Sequence, residues 1–157
     1  MLLSEFIYGG MDGVITTVAI VAGIMGANIP TNYALVLGLA NLCADGFSMG
    51  ISRYNSLVDI AKSKNTPIIS ALATFASFVI MGSIPLIPFA FVSLSNEEFM
   101  KKMLLMCSLI ALLVIGVIKG LYSNKLMKSI IEVFFIGFVG IYVSFHVSKY
   151  VKSKIFR

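Results

Sequence analysis

Two carboxylates sit inside long apolar stretches of this 157-residue chain: Asp12, at the head of DGVITTVAIVAGIMG, and Asp45, the one formal charge between Tyr33 and Ser52. A carboxylate at membrane depth is costly whether charged or neutralised, so it is rare and marks a functional site by default. Asn41, Asp45 and Met49 fall at four-residue steps and therefore share one face of a helix. That face offers an amide oxygen, a carboxylate and a thioether. Oxygen donors hold any hard cation, and a thioether adds preference for softer transition metals. With Asp12 from a second helix, the set predicts a hydrated path for a divalent metal, and a carboxylate there can also carry a returning proton. Thr16 and Ser48 would add hydroxyls to its lining. Taken singly, Met49 reads as packing filler and Asn41 as an interhelical hydrogen bond; the combination carries the prediction. The acids could instead cap a helix or pair with a buried cation. No Lys or Arg lies at comparable depth, which favours carboxylates left open for a moving ion.

The elements that must hold these groups are membrane helices. The chain is 59% hydrophobic and 12% charged, with a mean hydropathy of +0.99. Its segments are apolar nearly all round, which a soluble domain does not need. The alternation of a membrane β-barrel is absent. The fold class is thus all-α integral membrane, one transmembrane domain over residues 1–157. Five transmembrane helices are expected, at about 6–26, 33–61, 67–94, 100–121 and 127–148. Each has at least the ~20 residues that cross a ~30 Å hydrocarbon core. In the third, Gly82, Pro85 and Pro88 should kink or locally unwind the helix.

On the first helix Gly9, Asp12, Thr16, Ala19, Gly23 and Gly26 recur at three- and four-residue steps. A small face lets helix backbones approach closely in a membrane. Gly9, Ala19 and Gly23 are accordingly expected at a homodimer interface across a two-fold axis, with packing inside one protomer as the alternative. Glu132, near a helix start, reads as structural. His146 reads as facing headgroups. Cys43 and Cys107 show neither zinc nor disulfide spacing and read as small packing residues.

The net charge is +5, and the cations sit at the ends of apolar runs, where they reach headgroups. This points to membrane lipids as partners and away from nucleic acid. The loops after the second and fourth helices are basic, while those after the first and third are neutral or offset by Glu97 and Glu98. These loops favour a cytosolic N-terminus; the basic tail 149–157 argues the other way.

Several segments resemble the vacuolar iron transporter family, which includes nodulin-like members. YGGMDGVITTVAIVAG, residues 8–23, resembles its first-helix motif, and DGFSMGISRYNS, residues 45–56, its second-helix Ser-Met-x-x-Gly-Glu-Tyr motif. FVIMGSIPLIP, residues 78–88, resembles its Gly-x-x-Pro-x-x-Pro pattern, and residues 116–120 and 137–142 its weaker later marks. The resemblance implies a five-helix homodimer with its pathway at the dimer interface, moving Fe2+, and often Mn2+, out of the cytosol in exchange for protons. By motif position Asp12 and Met49 match the family's pathway Asp and Met. The family's second-helix acid falls on Asn41, with Asp45 one turn on. The motif Glu falls on Arg53, which is expected to repel cations at that mouth. At most about ten residues separate the second and third helices, too few for the cytosolic metal-binding domain of some members.

The expectation is a homodimeric transporter with Fe2+ or Mn2+ and H+ as substrates and no cofactor. It would lie in a vacuolar or other endomembrane of a eukaryote, or in a prokaryotic cell membrane. A passive divalent-cation channel and a non-transporting scaffold of the same fold are the rivals. No nucleophile–base pairing suggests an enzyme.

Overall fold

The computed structural model describes residues 2–60, 65–91 and 96–155. Its helices are α1 (Leu2–Gly26), α2 (Asn32–Val58), α3 (Asn65–Ser83), α4 (Pro88–Phe91), α5 (Glu97–Ser123) and α6 (Leu126–Ile155). Five stretches are long and apolar enough to cross a membrane: α1, α2, α3 with the turn after it, α5 and α6. There is no strand among the described residues.

The helix ends follow from local chemistry. After α1 the chain turns through Asn28 at φ 51°, and after α5 through Asn124 at φ 54°. Asparagine tolerates this left-handed conformation, which lets backbone N–H groups fold back onto the last helical carbonyls. Ile29 N–H thus reaches Ile24 O at 3.0 Å, and Lys125 N–H reaches Gly120 O at 3.1 Å. α5 opens on Asn96, whose side chain accepts from Phe99 N–H at 3.1 Å, with Glu97 and Glu98 in the positive first turn. The third span breaks where its prolines require it. α3 stops at Ser83, Ile84–Leu86 form a 3-10 turn, and Pro88 starts the short α4. Residues 61 and 92–94, expected to end the second and third spans, lie outside the described residues. α6 runs past the expected 148 through the basic tail to Ile155, where Lys152 and Lys154 suit its C-terminal dipole. Lys152 also donates to the carbonyl of Asn28 at 3.2 Å, tying the ends of α6 and α1 together.

α1 is the hub, touching α2, α3, α5 and α6. Glycines make its close approaches possible. A Cβ on Gly13 would overlap the carbonyl of Phe78 in α3, and one on Gly26 the carbonyl of Phe145 in α6. Opposite Gly13 stands Gly82, whose own Cβ would strike Leu42 and the Gly13 carbonyl. Two apolar clusters fill the interior, one around Phe78, Leu42 and Leu104, the other around Val14, Leu112 and Ile115.

Gly9, Ala19 and Gly23, expected at a two-fold axis, each have a neighbour inside the protomer. A Cβ on Gly9 would overlap Thr74 and Ser77 of α3, and one on Gly23 would press on Ser144 and Ser148 of α6. The Ala19 carbonyl accepts from the Ser144 hydroxyl. These small residues are used inside the protomer. A three-four repeat averages 3.5 residues per turn against the helix's 3.6, so the stripe drifts around α1. One end meets α3 and the other α6.

Candidate functional site

α1 and α2 run antiparallel, so successive turns of one meet successive turns of the other in reverse order. Three levels of this ladder carry polar groups. At the Leu2 end, Arg53 donates to Glu5 through Nε at 2.7 Å and through Nη2 to the other carboxylate oxygen. The next level, one turn deeper, is a cavity of about 500 Å3 lined by Tyr8, Ser48, Met49, Ser52, Arg53 and Ser56. Another turn deeper is Asp12, near enough to Asp45 to feel its charge. The same register places Thr16 opposite Asn41.

Asp12, Asp45 and Ser48 are exposed on this face, and Asn41, Met49 and Thr16 are half-buried. Neither Asp12 nor Asp45 has a hydrogen-bond or ion-pair partner among the described residues. Met49 rests on the apolar cluster around Phe78 and turns its free side into the Tyr8 cavity. The amide nitrogen of Asn41 is buried with no acceptor. Such a donor normally has a partner or a bound water.

The expected metal set is therefore brought to one face but spread over a little more than two helical turns, about 12 Å. Asp12 shares its level with Asp45; Met49 is one turn away with Tyr8. Among the described residues no three His, Cys, Asp or Glu side chains gather to hold a metal. Chemically the arrangement offers carboxylate, thioether and hydroxyl oxygen donors at successive levels.

Arg53, expected to repel cations at the mouth, is paired with an acid. Its charge is matched by Glu5, whose side chain is only 2% exposed against 33% for the arginine. Thr74 of α3 adds a hydroxyl to the same carboxylate at 3.3 Å. Sequence separation hides this buried ion pair, because Glu5 lies near the start of α1 and Arg53 toward the end of α2, 48 residues apart. A signal existed: Glu5 precedes Asp12 by two turns, and Arg53 follows Asp45 by two turns, so an antiparallel hairpin must set them side by side.

Elsewhere, Glu132 has a structural role, paired with Lys119 of α5 at 2.8 Å. His146 is exposed, with its ring 4.1 Å from that of Tyr142. Both cysteines are free.

Comparison with known proteins agrees with this architecture. The chain is 46% identical over 54 residues to a vacuolar iron transporter of Plasmodium berghei (strain Anka), a match covering 34% of this chain and 20% of the relative. It is 48% identical over 50 residues to one of Toxoplasma gondii, covering 32% and 17%. Against these relatives the chain thus spans about a fifth of their length. Vacuolar iron transporter 1 of Eucalyptus grandis is 23% identical over 219 aligned positions, covering 97% of this chain and 87% of that one. The alignment is longer than the chain, so that relative carries residues this chain lacks. The model of the VIT family matches residues 3–59 and 55–149. With five membrane-crossing helices and that match over nearly its whole length, the chain is an integral membrane protein and belongs to the VIT family.

Proposed function

We propose that the protein is a homodimeric transporter of divalent transition metal, Fe2+ first and Mn2+ second, moving it out of the cytosol in exchange for protons. The observation that carries this reading is the pair Asp12 and Asp45, exposed and unpartnered on the face of two membrane-crossing helices. A carboxylate facing hydrocarbon is costly, so that face must meet water, an ion or protein. A second copy across a two-fold axis would cover it and bring two further carboxylates and a second Met49 to the same seam. That assembly would complete a donor set that one protomer lacks. The names of the relatives support a metal ion as substrate, and iron in particular.

Asp12 is then ligand and proton acceptor, with Asp45 and Asn41 adding oxygens and Met49 the soft donor. Thr16 and Ser48 line the path between them. A cytosolic N-terminus belongs to this reading, supported by the basic loops after the second and fourth spans. The direct test is metal uptake into proteoliposomes. Asp12→Asn should abolish Fe2+ and Mn2+ uptake while the protein stays dimeric in detergent. Full uptake by that variant would remove Asp12 from the mechanism. Proton movement opposite to an imposed metal gradient is expected; metal flux without it would make the protein a passive channel.

A further inference from the structure

Glu5 is the most enclosed acid described, at 1% exposure, yet it is not sealed in an apolar wall. It borders a cavity of about 250 Å3 together with Ser4, Tyr8 and Arg53. Tyr8 and Arg53 also line the larger cavity that contains Met49. The guanidinium therefore stands between the carboxylate and the start of the candidate pathway. Both oxygens of Glu5 are engaged, by two N–H groups of Arg53 and by the Thr74 hydroxyl. The Thr74 hydroxyl is also within reach of the Ser70 carbonyl, at 2.9 Å. The result is a buried carboxylate, a hydroxyl oxygen and an adjoining cavity, with a positive group filling the remaining space.

We propose that Glu5 is a divalent-cation site whose occupant in this chain is the Arg53 guanidinium. A carboxylate, a hydroxyl and the water such a cavity admits are the oxygen donors that Mn2+ accepts. Arg53 is a tethered cation that cannot leave, so the mouth at the Leu2 end is neutral and takes up no metal of its own. Stability alone does not account for the pair. A buried ion pair is frequently no better than apolar packing of the same volume, and apolar packing would also close the cavities. The consequence for transport rests on the pathway reading above: metal reaches Asp12 without a stop at this mouth.

The test is Mn2+ binding by the purified full chain in lipid nanodiscs, followed by the loss of free Mn2+ signal in electron paramagnetic resonance. Arg53→Gln keeps a neutral donor and frees Glu5. It should bind more Mn2+ at saturation than the parent, and the added binding should vanish in the double variant Glu5→Gln/Arg53→Gln. Equal binding by Arg53→Gln and the parent overturns the proposal. So does a gain that survives the double variant, since the cation is then held elsewhere. If Arg53→Gln does not accumulate as folded protein, Arg53→Glu decides. Mn2+ should raise its melting temperature by more than that of the parent, because a ligand of the native state stabilises it by mass action. Equal shifts overturn the proposal. Binding requires no transport, so a protein inactive in liposomes can still pass this test, and one that transports can fail it.

Discussion

Met49 is the one soft donor on the polar face, and its surroundings fix what it can do. One side of the thioether is held by the core and the other opens to a hydroxyl-lined cavity. Met49→Ala should therefore weaken Fe2+ transport relative to Mn2+ by roughly tenfold, the loss of about 1.4 kcal/mol from one donor. Competition between the two metals in proteoliposomes would show it, and an equal loss for both would argue against soft-ligand selection. The ion pair at the mouth makes a second, asymmetric prediction. Removing Arg53 leaves a carboxylate that is 2% exposed, while removing Glu5 leaves a guanidinium that is 33% exposed and can turn to water. In metal-free buffer Arg53→Gln should cost about 3 kcal/mol, near the lower end for an uncompensated buried charge, and Glu5→Gln clearly less. Denaturant unfolding in detergent micelles measures both. At this scale the places of Asp12, Asp45 and Met49 within their helices were legible in the sequence, because one residue in its apolar surroundings carries that signal. The Glu5–Arg53 contact was not, because it exists only once two helices have been set antiparallel.

The helices show the same division between what periodicity reveals and what packing decides. Five apolar runs, the asparagine-capped turns and the break at Pro85 and Pro88 follow from local rules. The partner of each small face does not. The glycines of α1 announce close approach, and the structure spends them on α3 and α6 within one protomer. A helix that winds across several neighbours presents a different one at each turn, and no stripe in a sequence encodes which. The contact between Gly13 and Gly82 is the tightest test of this arrangement, since each glycine gives room to the other helix's backbone or core. Gly13→Ala should destabilise the protein by about 1–3 kcal/mol, the usual cost of overpacking a filled site. Gly140→Ala is the control. Its Cβ would meet only Ile15, at an ordinary 3.6 Å, and should leave thermal stability nearly unchanged. A Gly13→Ala protein as stable as its parent would mean that α1 and α3 lie further apart.

Over the whole molecule, two long helices are covered little by the rest of the protomer, and the chemistry of their open faces differs. α6 turns Ile131, Phe135, Phe138 and Val143 outward, an apolar surface that lipid satisfies. α2 turns out Asp45, Ser48 and Ser52 alongside Val36 and Phe47, and next to it α1 adds Asp12 and Tyr8. Its buried edge is the series Ala34, Gly38, Leu42, Gly46 and Gly50 at steps of four, so the polar edge cannot rotate inward without pulling that series off its neighbours. Hydrocarbon would leave these carboxylates without partners; a second copy would enclose them in a seam that can hold water. The two faces therefore predict different neighbours. With Cys43 and Cys107 replaced by serine, Ser48→Cys should be joined to its twin by a short bismaleimide in native membranes, giving a covalent dimer on a denaturing gel. Phe138→Cys, on the lipid-facing side of α6, should give monomer under the same treatment. Should the α6 cysteine cross-link and the α2 cysteine not, the two-fold axis would lie on the wrong side of the molecule, and the exposed aspartates would have to be enclosed by another partner.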